Sequence, residues 1–263
     1  MLIKILIAYL CLYQIRSMFS FFQKKIFLID HLYGLVDMHN HILPGIDDGA
    51  KTVEDSINLI KGFSEFGVTN FVCTPHIMHN YYPNTPETIQ NSFNLLEKEL
   101  QQQGIDNVSI RAAAEHMIDD NFEEILETNN IMPIKGKYVL VETPFLAPPL
   151  NLERCLEKVK SKGFFPILAH PERYLFLHNK LEKYFHYKNQ NTKLQMNLMS
   201  LCEFYGSKIA DVSFKLLRKG TIDYIASDIH NSKQLVSLKE FKVSRKNLDY
   251  LMPIVERTID TFY

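Results

Sequence analysis

The sequence has no tryptophan, only four cysteines in 263 residues, and almost no net charge. Cys11, Cys73, Cys155 and Cys202 lie far apart and form no Cys-x-x-Cys pair, which excludes a zinc knuckle and a disulfide framework. With 29 basic and 30 acidic residues, there is no overall positive field to hold nucleic acid. No apolar run reaches the roughly 20 residues that span a bilayer. The nearest, residues 2–13 (LIKILIAYLCLY), is interrupted by Lys4 and is not followed by a small-x-small cleavage site. A start at Met18, with residues 1–17 as an upstream extension, is therefore preferred over a secretory signal or anchor. No Gly-x-Gly-x-x-Gly follows the first strand candidate, and no repeat or low-complexity tract occurs.

What is present is a globular composition. The chain is 46% hydrophobic and 22% charged, with 18 Phe and 13 Tyr to build a core. From residue 35, β-branched runs alternate with amphipathic stretches. Strands are expected at 35–39, 69–74, 108–114, 137–142, 164–169, 193–199 and 222–227. Helices are expected after Thr52, which opens a Thr-x-x-Asp cap, from Pro86 to Gln103, and over 151–163 and 207–220, which both end at glycine after basic residues. Seven strands alternating with helices imply parallel pairing through crossovers, hence an α/β fold. At this length a closed or nearly closed barrel is favoured. Residues 1–34 are read as an N-terminal extension and 35–263 as one domain.

Barrel enzymes draw their functional groups from the C-terminal ends of strands. Those ends here carry His39-Asn40-His41 with the loop Asp47-Asp48-Gly49, then His76, Glu115-His116, Glu142, His170-Pro171-Glu172-Arg173, and Asp228-Ile229-His230. Only the sixth lacks an ionisable group. A lone His-x-His is common by chance, Asp-Asp-Gly alone reads as a turn, and one acid after a strand is usually a helix cap. Imidazoles and carboxylates at six of seven ends are instead what a divalent metal site requires.

The segments DMHNHILPGIDDGAKT, VCTPHIMHNYYPN, AAEH, VETPF, AHPERY and ASDIHN together resemble the polymerase-and-histidinol-phosphatase (PHP) family over residues 30 to 263. More narrowly, the chain is similar to its capsule-operon branch, the bacterial manganese-dependent protein-tyrosine phosphatases. The resemblance implies a distorted seven-stranded (β/α)7 barrel with three divalent ions at the C-terminal strand ends, manganese foremost and iron, zinc, cobalt or magnesium as alternatives. It implies His39, His41, Glu115 and Asp228 on the first ion; Glu115, Glu142 and His170 on the second; Asp48, His76 and His230 on the third. Arg173 matches an arginine that faces the substrate phosphate, and with Asp48 and His230 it makes up the implied catalytic set. Family members often carry another arginine shortly after Asp-x-His-Asn, whereas here Asn231 is followed by Ser232, Lys233 and Gln234. Lys233 offers a point charge but no bidentate fork. The implied partner is a tyrosine-phosphorylated protein, a tyrosine kinase of polysaccharide export, acted on in the cytoplasm with no nucleic acid and no stable membrane insertion.

Charge supports this chemistry independently. Three divalent ions against Asp48, Glu115, Glu142 and Asp228 leave a net positive centre that attracts a phosphate dianion and lowers the pKa of water toward ~7. A cysteine phosphate loop is excluded, because the sixth residue after each cysteine is Ser17, His79, Ser161 or Lys208 rather than arginine. The alternatives are a small-molecule phosphomonoesterase of the histidinol-phosphatase type, a PHP-type nuclease, and a non-catalytic kinase-binding scaffold. Among the neighbours, His79 is open between a supporting donor and a loop histidine, and Asp47 between shaping its loop and orienting a ligand. Strand alternation turns His116 away from Glu115. Tyr81, Tyr82 and Pro83 are open between an aromatic wall for the substrate ring and a packed surface loop. Glu172 is expected in a structural ion pair, and Pro171 is expected to keep His170 extended.

Overall fold

The computed structural model describes residues 25–263; the readings for residues 1–17 and Met18 lie outside the described residues. The strands are β1 (Lys25–Phe27), β2 (Val36–Asp37), β3 (Asn70–Cys73), β4 (His76–Ile77), β5 (Ser109–Ala112), β6 (Glu115–Met117), β7 (Tyr138–Glu142), β8 (Phe165–Ala169), β9 (Lys193–Asn197), β10 (Tyr224–Ala226) and β11 (Lys242–Ser244). Every expected strand contains one of these. The helices are α1 (Val53–Ser64), α2 (Pro86–Gln102), α3 (Phe122–Glu127), α4 (Leu152–Ser161), α5 (Leu181–Asn189), α6 (Leu198–Leu201), α7 (Ser207–Arg218), α8 (Ser232–Glu240) and α9 (Arg245–Phe262). The result is a mixed α/β fold with parallel sheet.

A six-stranded sheet runs β10-β9-β8-β7-β6-β4 and a three-stranded one β2-β3-β5, all pairs parallel. The second and third expected strands, 69–74 and 108–114, hold β3 and β5, and each is followed by a further short strand, β4 or β6, beyond the expected bounds. Pro75, which has no N–H to give to a ladder, separates β3 from β4, and the chain bends at Ala113-Ala114 between β5 and β6. Hydrogen bonds from Ala113 N to Cys73 O (2.8 Å) and Glu115 N to Pro75 O (3.1 Å) carry the pairing across both breaks.

At the other side, β10 runs on beside β2. Ser227 donates its amide and hydroxyl to Asp37 at 2.8 and 2.6 Å, Asp228 N reaches His39 O at 2.8 Å, and His41 N reaches Ile229 O at 2.9 Å. Burial pushes the Asp37 carboxyl up to about 6 despite those bonds from Ser227. Alternate strand residues, among them Val36, Val72, Leu140, Ile167 and Ala226, form one apolar cluster closed by Phe262 from α9. Their neighbours, such as Val139, Val141 and Leu168, pack in a larger cluster with the helices. Strands buried on both faces read as continuous hydrophobic runs, as these do.

The helices expected after Thr52 and from Pro86 form there. Thr52 Oγ1 accepts from Asp55 N while Asp55 accepts from Thr52 N, and α1 buries Ile57, Leu59, Ile60 and Phe63. Thr85 and Thr88 make the same reciprocal pair ahead of Pro86 in α2. Before Leu35, β1 pairs antiparallel with β11, and Leu28 and Leu32 are buried in the larger cluster. Among the described residues, no helix is long and apolar enough to cross a membrane.

Candidate metal centre

His39 and His41 sit two apart where the chain leaves β2, so both project to one side while Asn40 turns to the other. Asn40 Nδ2 donates to Asp37 O and Val72 O at 3.0 and 3.1 Å, and its backbone accepts from Thr74 N. This ties the first two strand ends together and leaves the imidazoles facing the pocket. His39 Nε2 lies 3.2 Å from Glu115 Oε2 and 3.3 Å from Asp228 Oδ1; His41 Nε2 lies 3.4 and 3.2 Å from the same two atoms. His76 reaches Glu142 Oε1 at 2.9 Å and Glu115 Oε2 at 3.1 Å through Nδ1, and Asp48 Oδ1 at 3.4 Å through Nε2. His170 Nε2 lies 3.0 Å from Glu115 Oε1, and His230 Nε2 is 3.5 Å from Asp48 Oδ1. All nine residues singled out as ligands therefore converge, with Glu115 at the centre.

The groupings overlap those implied by the resemblance without matching them member for member. Ligand atoms of His39, His41, Glu115 and Asp228 lie within 4.8 Å of one another, as expected. So do those of His41, Asp48, His76 and His230, and those of His76, Glu115 and Glu142. His41 stacks on His230 at 4.0 Å between ring centroids, which brings it into the set at the open side.

The donors fit a divalent cation. His76 Nδ1, Glu115 Oε2 and Glu142 Oε1 are buried and within about hydrogen-bond distance, yet none makes a hydrogen bond; His170 Nδ1 is likewise without a partner. Lone pairs so close and so poorly aligned for bonding to each other are aimed at a shared point, and nitrogen and carboxylate donors suit first-row metals. The electrostatics agree. Burial opposes protonation of His41 and His76, but the carboxylates beside them, Asp47 for the first and Glu142 and Glu115 for the second, hold both well above the usual imidazole range. Burial is outweighed likewise at Glu115, Asp48 and Asp228, which the surrounding histidines keep below the usual carboxylate range.

A layer of buried polar groups orients the inner set. Asp47 accepts from His41 Nδ1 at 2.8 Å, from Gly49 N at 2.8 Å and from His76 N at 3.2 Å, so it both shapes its loop and orients the His41 ring. His39 Nδ1 donates to Gln195 Oε1 at 2.9 Å, which leaves Nε2 as the free lone pair. Gln195 Nε2 donates to Asn197 Oδ1, and Asn197 Nδ2 to Asp228 Oδ2. Neither amide was singled out in the sequence, because β9 carries no charged residue at its end. Their place at alternate positions of a buried strand was the one available signal.

Other expectations divide. His116 does turn away: its Nδ1 donates to Leu140 O at 3.0 Å, Met132 N donates to its Nε2, and burial pushes it down to about 4. His79 is exposed and outside the cluster. Tyr82 stacks on His76 at 5.4 Å, whereas Tyr81 is 75% exposed at the rim. Two expectations are overturned. Glu172 makes no ion pair among the described residues; it is fully buried and accepts from Asn197 N at 3.0 Å and Ser200 Oγ at 2.6 Å. His170 is left-handed, with φ 32° and ψ 53°, not extended. Contact of its ring with Glu115 holds it there, and the turn swings Arg173 onto Asp228 Oδ2 at 3.0 Å. Asp228 is left-handed as well, with φ 54°; non-glycine residues held in that region gather at functional sites. Lys233 is exposed and only its backbone amide is engaged, donating to the Oδ1 of Asn231, which caps α8, whereas Gln234 turns inward.

Above the cluster opens a cleft of about 730 Å³, with Asp48, His230 and Arg173 at its polar floor and Tyr82, Phe145 and Leu146 on its walls. A family model described as capsular polysaccharide synthesis, CpsB/CapC, matches residues 35–240, a span holding all nine converging residues and Arg173. The chain is 30% identical over 225 residues to the putative tyrosine-protein phosphatase CapC of Staphylococcus aureus, covering 82% of this chain and 87% of that one. It is 29% identical over 200 residues to the tyrosine-protein phosphatase YwqE of Bacillus subtilis, 76% of this chain and 78% of that one. A solved structure, from work on YwqE of Bacillus subtilis and CpsB of Streptococcus pneumoniae as metal-dependent tyrosine phosphatases, superimposes with a TM-score of 0.72 at 26% identity, covering 87% of this chain and 96% of the other. With the fold, the converging donors and the sequence in agreement, the chain belongs to the CpsB/CapC family of capsular polysaccharide synthesis proteins.

Proposed function

We propose that this protein is a metal-dependent protein-tyrosine phosphatase. The observation that carries the reading is the convergence of buried, unpartnered nitrogen and oxygen atoms on shared points at the floor of a cleft with aromatic walls. Three cations, manganese foremost, would be held by His39, His41, Glu115 and Asp228; by Glu115, Glu142 and His170; and by Asp48, His76 and His230. When bound, they supply the charge that turns water into a nucleophile at neutral pH and offsets charge on the phosphoryl oxygens.

The residues of the chain do the remainder. Asp47 and Gln195 fix the tautomers of His41 and His39, so each presents Nε2 inward. Arg173 has N–H groups left over from its bond to Asp228 and offers them to the non-bridging oxygens, where charge grows in the transition state. Tyr82 and Phe145 wall the cleft against water and supply flat apolar surface for the tyrosine ring. The departing phenol has an ordinary pKa near 10, so it leaves with little help. Asp48 and His230 line the cleft at its more open side, where they would face the phosphoryl group.

We take the strands to close into a distorted seven-stranded (β/α)7 barrel, β3 with β4 and β5 with β6 counting as one each; the bonds from Asp228 N to His39 O and from His41 N to Ile229 O support closure. Residues 35–263 are the catalytic unit, with residues 1–34 ahead of it as an extension whose β1 clips onto β11. The substrate we propose is a tyrosine kinase of polysaccharide export, dephosphorylated in the cytoplasm. The test is side-by-side turnover of a phosphotyrosine peptide, histidinol phosphate and single-stranded DNA with manganese. Hydrolysis of the peptide alone is expected. Preference for histidinol phosphate would move the assignment to a small-molecule phosphatase.

A further inference from the structure

The guanidinium of Arg173 is flanked by two aromatic rings, its Cζ lying 4.3 Å from the Phe145 centroid and 4.1 Å from that of Tyr205. Of the five N–H donors an arginine carries, one is spent on Asp228 Oδ2, and no other protein acceptor is met among the described residues. The rings are themselves anchored. Leu175 N donates to Phe145 O at 2.9 Å and Thr143 N to Tyr174 Oη at 3.2 Å, which pins the start of the loop after β7. The Phe145 ring also packs on His170 at 5.5 Å. Gln234 Nε2 reaches Tyr205 Oη at 3.5 Å, while its Oε1 accepts the His230 amide. The two rings thus come from separate loops, and each is tied to a strand end that carries a member of the cluster.

We infer that Phe145 and Tyr205 are positioning residues that hold Arg173 with its spare N–H groups presented to the cleft, so that the anion site is formed before a phosphate arrives. The inference rests on the phosphatase reading above. Aromatic contact covers the faces of a guanidinium and leaves its edge, where the donors lie, free for oxygen. An arginine already fixed in this way has little rotamer freedom left to lose on binding. A leucine in place of either ring keeps apolar bulk but removes the attraction for the cation.

Calorimetric titration of the manganese-loaded full chain with inorganic phosphate reads this site without requiring turnover. Phe145→Leu is expected to weaken phosphate binding roughly tenfold, and Phe145→Tyr, which returns the ring, to recover the affinity. In an Arg173→Ala background, Phe145→Leu is expected to have no further effect, since its action runs through the arginine. Wild-type affinity in Phe145→Leu, an equal loss with and without Arg173, or no phosphate binding by the wild-type chain would each overturn the inference. Should Phe145→Leu not fold, the same cycle run with Tyr205→Leu decides it by the same criteria. Failure of the phosphatase reading has a different signature: the wild-type chain leaves phosphotyrosine peptide intact while the phosphate titrations keep their dependence on Arg173.

Discussion

Asp47 organises more of the centre than any residue outside the cation-facing set. One buried carboxylate accepts hydrogen bonds from His41 Nδ1 and from the amides of Gly49 and His76, so it joins the loop to two strand ends. Asp47→Ala is expected to lower manganese affinity about 10–100-fold, read by competition with a chelator; unchanged affinity would make Asp47 a loop residue only. The three cysteines among the described residues have no comparable role. Burial pushes the Cys155 thiol up to about 11 and Cys202 to about 12, and raises Cys73 further, so each is a neutral thiol at pH 7–8. Treatment with iodoacetamide should leave phosphatase turnover intact, and inactivation protected by phosphate would contradict a metal-borne mechanism. At this scale the charged residues of the site were legible in the sequence, because histidine, aspartate and glutamate at strand ends have few structural reasons to gather. Gln195 and Asn197 were not, since a neutral amide in a buried strand is informative only once its partners are in place.

The loop from His41 to Ala50 shows how an element is set by its sequence. Ala50 N donates back to His41 O at 3.0 Å and Gly45 N to Ala50 O at 2.8 Å, folding Asp47 and Asp48 over the cluster. A Cβ on Gly49 would sit 2.0 Å from His41 O, a backbone atom that cannot step aside without moving the His41 ring in the cluster. Gly49→Ala is therefore expected to lower both melting temperature and manganese occupancy, measured by thermal unfolding and metal analysis; a variant with normal occupancy would mean that the loop does not hold the centre. Elements with strong local signals were readable: the Thr52 cap, the helix start at Pro86 and the apolar strands fall where the sequence puts them. The break at Pro75 and the turn at His170 were not. The first needs to be known as a gap between two ladders, and the second is imposed by distant carboxylates against the local preference of a residue before proline.

Over the whole molecule, strand ends distant in sequence meet at one centre, and its charge balance makes cation binding depend on protons. His39, His41 and His76 are raised by neighbouring carboxylates, so without cations they hold protons to higher pH than a free imidazole does. A ligand must lose its proton to bind metal, so apparent manganese affinity should fall as pH is lowered and binding should release protons. Calorimetry in two buffers of different ionisation enthalpy measures that release, and a pH-independent affinity would show that these histidines are not ligands. The most direct test of the central claim is a manganese titration of chelator-stripped protein, following bound metal per chain and phosphotyrosine-peptide turnover in the same sample. Turnover should be abolished by stripping and return as occupancy rises to three ions per chain. Turnover that survives stripping, or full occupancy without turnover, would contradict it.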